Sequence, residues 1–96
     1  MGYYFDWFDW KGFRTSYLNG STYKDKYSLI DDFHRVFYNV TDYSLSQGRV
    51  YDVIKKYWDD PKIKSQVKAQ LLGKGHTRGA INGICKYFET ALSYKL

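Results

Sequence analysis

The side chains with the clearest capacity for chemistry are basic and are concentrated in the last third of the chain. Residues 61–96 contain seven Lys or Arg and one Glu, a net charge of +6, whereas residues 1–60 contain eight Lys or Arg and nine Asp, a net charge of −1. Lys and Arg bind phosphate oxygens, and Arg or Asn can also bond to base edges. We therefore predict an anion-binding surface of eight residues: Lys62, Lys64, Lys68, Lys74, His76, Arg78, Asn82 and Lys86.

Two predicted helices position these side chains. The first covers residues 61–72, with Asp60 as its cap and Pro61 in its first turn. The second runs from the cap Thr77 to about residue 93. Its apolar face is formed by Ala80, Ile81, Ile84, Cys85, Phe88, Ala91 and Leu92. Its other face presents Arg78, Asn82 and Lys86 at i, i+4 and i+8, beside Gly79 and Gly83, which would let a partner approach the backbone closely.

This pair of helices resembles a helix-turn-helix DNA-binding motif over residues 61–88, because a Gly-containing turn joins them and the second helix presents Arg and Asn outward. The connection is about two residues longer than the compact motif requires. The alternative is a solvated basic surface on an ordinary helical hairpin. The connecting Gly73-Lys-Gly-His-Thr-Arg78 lacks the Gly-Lys-Ser/Thr order of a Walker motif, so we expect at most a simple anion nest and no nucleotide hydrolysis.

The N-terminus is unusually aromatic: seven of the first thirteen residues are Phe, Tyr or Trp. One interpretation is that Phe5, Phe8 and Trp10 close the core of a small domain. The other is that some rings are exposed, since Tyr and Trp are frequent anchors in interfaces and stack on unpaired bases. The candidate anchors are Tyr3, Tyr4, Trp7 and Trp10.

The rest of the chain predicts a mainly helical fold. Residues 27–40 show helical periodicity with Ser28 as a possible cap, and a second helix is expected over residues 46–58. Asn19-Gly20 favours a β-hairpin turn within residues 13–23. We expect one domain over residues 1–96, in which residues 1–26 form an aromatic hairpin or extended arm and residues 27–96 form a core of about four helices. A small α+β domain is the alternative.

The sequence offers little support for catalysis or for a bound metal or cofactor. The pairs Asp31-Asp32 and Asp59-Asp60 are adjacent residues that point about 100° apart on a helix, so neither converges on one ion. We expect His34 to be half-buried at the edge of the core and His76 to face solvent or a bound anion. Cys85 lies on an apolar helix face and should be a buried, inert thiol. We predict a protein that is not an enzyme, with no cofactor and no metal.

The chain resembles short proteins of phages and other mobile elements of low-GC bacteria in its size, its high Tyr content and its ratio of nine Asp to one Glu. Three functions are compatible with this resemblance. The first is a small nucleic-acid-binding regulator, and the second is an inhibitor of a host nucleoprotein, similar in kind to anti-CRISPR proteins. The third is a helical-bundle protein of the bacteriocin-immunity type, which binds a protein target without nucleic acid. We expect no membrane association and a location in the cytoplasm of a bacterial host.

Overall fold

The computed structural model of the protein describes residues 8–47 and 51–93, and within these ranges the chain is mainly helical with no strand. A short 3-10 helix, Leu45–Gln47, precedes the gap. The α-helices are α1 (Trp10–Gly20), α2 (Lys26–Thr41), α3 (Tyr51–Asp59), α4 (Pro61–Gly73) and α5 (Arg78–Ser93).

The two helices that carry the basic residues begin where the sequence predicts. The Asp60 side chain accepts a hydrogen bond from the Lys62 amide at 2.9 Å, and Pro61 occupies the first turn of α4, where its missing N–H removes no helix bond. The Thr77 hydroxyl accepts from the Ala80 amide at 3.2 Å at the start of α5. Both predicted caps are confirmed. Asp60 is also the single residue between α3 and α4.

Earlier helix boundaries differ from the prediction. The helix α2 begins at Lys26 after Asp25, so Ser28 lies inside the first turn and is not its cap. The helix expected over residues 46–58 is described as the 3-10 helix and the separate α3, with residues 48–50 outside the described ranges.

Where the sequence predicts a β-hairpin within residues 13–23, the structure has the helix α1 over Trp10–Gly20. Asp9 caps this helix by accepting a hydrogen bond from the Gly12 amide at 3.0 Å, and a Cβ at Gly12 would collide with that carboxylate. Phe13, Tyr17 and Leu18 are buried along one side of the helix. Gly20 is the last residue of α1 and does not form a two-residue turn. Residues 1–7 of the hairpin or arm predicted over residues 1–26 lie outside the described residues.

The described helices share one hydrophobic core with Phe88 of α5 at its centre. Phe88 is fully buried, and other aromatic rings surround it at centroid distances of 5.0–6.0 Å. Those rings come from the segment before α1 and from α1, α2 and α3: Phe8, Phe13, Phe33, Phe37 and Trp58. Most of the contacts are edge-to-face, the geometry that the ring quadrupole favours. The predicted apolar face of the last helix is therefore the face that α5 buries.

Cys85 lies on the same buried face, as predicted, and burial raises the pKa of its thiol to about 11. Because the thiolate is the reactive form, a shift from 9.0 to about 11 lowers the reactive fraction near pH 8 about 100-fold. Burial also blocks access of the reagent, so we expect iodoacetamide to alkylate Cys85 at least about 100-fold more slowly in the folded protein than in guanidinium, as measured by mass spectrometry. Equal rates under the two conditions would show that the thiol is accessible.

Across residues 8–47 and 51–93, no helix has the length and apolar character needed to cross a bilayer.

Candidate nucleic-acid interface

The exposed surface of α5 includes the three polar residues predicted there, Arg78, Asn82 and Lys86. Their spacing of four residues places all three within an arc of about 80° on the helix surface. Phe88 and the other buried residues of α5 occupy a separate arc of about 100° that begins beside Arg78. The sequence prediction for this helix is confirmed in its placement of the core and of the three exposed side chains.

Lys64 of α4 is already used inside the protein. Its ammonium lies 3.0 Å from the Glu89 carboxylate, which also accepts a hydrogen bond from the Trp58 indole N–H at 3.1 Å. The same ammonium lies 5.7 Å from the centroid of the Trp58 ring. The hydrogen bond from Lys64 is the largest of the contributions that lower the pKa of Glu89. This cluster joins α3, α4 and α5 and neutralises Glu89, the one acidic residue within residues 61–96.

Lys68 lies one helical turn after Lys64 and is exposed. Its positive charge affects the pKa of two residues of α5. For Cys85, burial has the larger effect and raises the pKa, and Lys68 opposes it. For Glu89, Lys68 adds to the lowering of the pKa that is mainly due to Lys64. Because Lys64 contacts Glu89 of α5 and Lys68 is one turn later on the same side of α4, Lys68 lies on the side of α4 that is next to α5. We call Lys68, Arg78, Asn82 and Lys86 the basic face.

Two other predicted lysines are exposed at different places on α4. Lys62 is two residues before Lys64 and so points to a nearly opposite side of the helix, away from the basic face. Lys74 follows the last residue of α4, where its backbone N–H bonds back to carbonyl groups of the helix. Of the eight residues predicted to form one surface, the structure thus brings together four.

His76 does not face solvent, which corrects the prediction. Its side chain is buried, and its Nε2 lies 2.8 Å from the Asp32 carboxylate of α2. The Tyr23 ring packs against it at a centroid distance of 6.2 Å. His76 therefore contacts a carboxylate of its own chain. This contact attaches the loop between α4 and α5 to α2.

Of the predicted aromatic anchors, Tyr3, Tyr4 and Trp7 lie outside the described residues. Trp10 is half-buried and packs on the core, with its ring 4.8 Å from the His34 ring and 5.6 Å from the Phe13 ring. Phe8 is buried, as the core-closing interpretation expects.

His34 is half-buried, as predicted, and its Nε2 lies 3.2 Å from the Ser44 hydroxyl. Burial is the main cause that lowers the pKa of His34. Asp31 pairs with Arg14 of α1 at 3.2 Å. In the part of the chain that the structure describes, no three His, Cys, Asp or Glu side chains are grouped to hold a metal ion.

A groove of about 410 Å³ lies on α5 next to the basic face. Gly79, Gly83 and Tyr87 of α5 line it on one side, and Tyr17 with residues 20–23 at the end of α1 lines it on the other. The sequence indicated that the two glycines permit close approach. It carried no local signal that Tyr17 and Tyr23, about sixty residues earlier, would meet them.

No protein-family model matches the chain, and comparisons with curated protein sequences and with solved structures find no significant match.

Proposed function

We propose that the protein is a non-catalytic nucleic-acid-binding protein that contacts phosphates through its basic face. The observation that carries this proposal is an uncompensated positive charge. Residues 61–93 contain six Lys or Arg and one Glu, and that Glu is paired with Lys64. Among the described residues, the other five cations form no ion pair. A surface with this charge attracts a polyanion and releases its counterions on binding.

The spacing of the basic face suits a repeating charge. Arg78 and Lys86 are eight residues apart, which corresponds to about 12 Å along the axis of α5. Phosphates of one B-DNA strand advance about 3.4 Å each along the duplex, so the two side chains can reach different phosphates of the same backbone. Asn82 lies between them and can bond to a base edge or a sugar.

The proposal of a non-catalytic role is supported by the surroundings of the candidate nucleophile and bases. The Cys85 thiol is buried and has a raised pKa, His76 is bonded to Asp32, and His34 is bonded to Ser44. Cys85 and His76 in particular are buried, whereas catalysis requires a group that reaches the substrate.

A salt titration tests the proposal directly. Three phosphate contacts, one for each cation of the basic face, predict that the logarithm of the affinity for duplex DNA falls with the logarithm of salt concentration with a slope of about −2.7. Fluorescence anisotropy with labelled duplex DNA, single-stranded DNA and RNA, between about 50 and 300 mM salt, measures this slope. Failure to bind any of the three nucleic acids, or an affinity that does not change with salt, would contradict the proposal.

A pull-down with and without nuclease separates this function from binding to a protein target. We expect capture from a bacterial lysate to depend on intact nucleic acid. A partner that is captured equally after nuclease treatment, combined with no affinity for oligonucleotides, would instead favour the immunity-type alternative.

A further inference from the structure

The groove beside the basic face has the size and lining of a ligand site. Its volume of about 410 Å³ lies within the range of about 300–1,000 Å³ that is typical of small-molecule pockets. Three tyrosines line it, Tyr17, Tyr23 and Tyr87. Tyr17 is buried and holds the Tyr87 ring edge-to-face at 5.6 Å, which leaves Tyr87 36% exposed. Tyr23 is partly exposed on the opposite side. The groove therefore offers accessible aromatic surface on both sides.

Gly79 and Gly83 keep this groove open. Each lies inside α5, where glycine destabilises a helix by about 1 kcal/mol relative to alanine. A Cβ built at either position meets no atom within 4 Å, so packing within the described chain does not require glycine there. The space that a side chain would fill is part of the groove. Within the described chain, packing therefore does not explain the two glycines, and the space beside them is open to a ligand.

Positive charges flank the groove on both sides. On α5, Lys86 is three residues after Gly83 and so lies on the neighbouring part of the helix surface, within the basic face. On the α1 side, the Lys26 ammonium donates to the carbonyl oxygen of Ser21, a residue of the lining, at 3.4 Å. No Asp or Glu is among the residues that line the groove. An aromatic cleft between two cations is complementary to an aromatic ligand with phosphates on both sides.

We propose that the groove binds an unpaired base of a single-stranded nucleic acid. The base stacks on the rings of Tyr23 and Tyr87, and the phosphates on its two sides meet Lys26 and Lys86. Stacking of bases on aromatic rings is the usual way in which proteins hold single strands, and each stacked base contributes about 5- to 150-fold in affinity. This inference rests on the proposed function and specifies the form of nucleic acid that is bound.

Filling the groove should remove the tighter binding of a strand with bases relative to an abasic strand. We expect Gly83→Leu to weaken binding of a fluorescent 15-residue oligothymidylate about tenfold or more, while an abasic strand of the same length binds as it does to the parent protein. The parent should bind the oligothymidylate more tightly than the abasic strand. Equal binding of the two strands by the parent, or unchanged oligothymidylate affinity of Gly83→Leu, would overturn the inference.

A milder variant separates the groove from folding. Gly83→Ala should raise the melting temperature by about 4–8 °C, because alanine is the better helix former, and should still weaken oligothymidylate binding. Gly73→Ala is the matched control: Gly73 is also in a helix with open space around a built Cβ, but it does not line the groove. We expect this control to bind like the parent. A Gly83→Ala variant that melts higher and binds as tightly as the parent would count against the groove.

The outcomes also distinguish this inference from the proposed function. If the parent binds nucleic acid with a steep salt dependence while both Gly83 variants bind equally well, the groove is not used and the proposed function stands. If the parent binds no nucleic acid, both are wrong. Competition by thymidine monophosphate as strong as that by the oligonucleotide would mean that the site takes free nucleotides, and the single-strand assignment would be wrong.

Discussion

Replacing Phe88 by alanine should remove a large part of the protein's stability. The ring is fully buried and touches aromatic rings from the segment before α1 and from α1, α2 and α3, so its loss leaves a cavity that no single neighbour can fill. Such substitutions cost about 3–5 kcal/mol, compared with about 5–15 kcal/mol for the free energy of unfolding of a typical domain. We expect the melting temperature to fall by about 15–30 °C.

Thermal unfolding followed by circular dichroism measures this effect. Tyr38→Ala is a suitable control, because it removes a ring of similar size from an exposed position on α2. The control should melt close to the parent, within the range of about 0.5 kcal/mol that is usual for surface substitutions. If Phe88→Ala and Tyr38→Ala lowered the melting temperature by the same amount, Phe88 would not be the centre of the core.

Removing Arg78 and Lys86 together should weaken nucleic-acid binding without unfolding the protein. Each lost phosphate contact reduces the magnitude of the salt slope by about 0.9, so the double alanine variant should lose about 1.8. If the two salt titrations converge near 1 M, this difference corresponds to about 60-fold weaker binding at 0.1 M salt. Both side chains are exposed and unpaired within the described chain, so we expect each substitution to change stability by no more than about 0.5 kcal/mol.

The matched control for this variant is Lys11→Ala on α1 with Lys56→Ala on α3, two exposed lysines that form no ion pair within the described chain. It lowers the net charge by the same two units, but both lysines are outside the basic face. Anisotropy titrations of the parent and the two double variants, each with a melting curve, then separate a local contact from a general effect of net charge. Equal loss of affinity in both variants would show that only total charge matters. Unfolding of the Arg78 and Lys86 variant would mean that its side chains support the fold.

The sequence predicts α4 and α5 well because their signals are local. Asp60, Pro61 and Thr77 lie next to the helix ends that they cap, and the apolar residues of α5 repeat with helical spacing. The signals for α1 were local too, but they competed. Asn19-Gly20 fits both a tight hairpin turn and the end of a helix, and the i, i+4, i+5 spacing of Phe13, Tyr17 and Leu18 favours the helix.

The sequence does not reveal contacts between residues that are far apart in the chain. Asp32 and His76 are separated by 44 positions, and neither is flanked by a residue that indicates its partner. For the same reason, the Gly-rich basic connection around His76 predicts an exposed side chain, whereas the structure buries it. The pairing of Lys64 with Glu89 was also hidden, although it decides which cations remain available to a ligand.

The central position of α5 has a consequence for the proposed binding of nucleic acid. Its buried side contacts α1, α2 and α3 through Phe88, and its Glu89 is bonded to α3 and α4 through Trp58 and Lys64. The helix can therefore neither rotate nor shift without disrupting the whole core. Arg78, Asn82 and Lys86 are consequently presented from a backbone that is preorganised before any encounter, and association has to order only the ends of these side chains. The conformational entropy that a disordered basic tail loses on binding has here already been lost during folding.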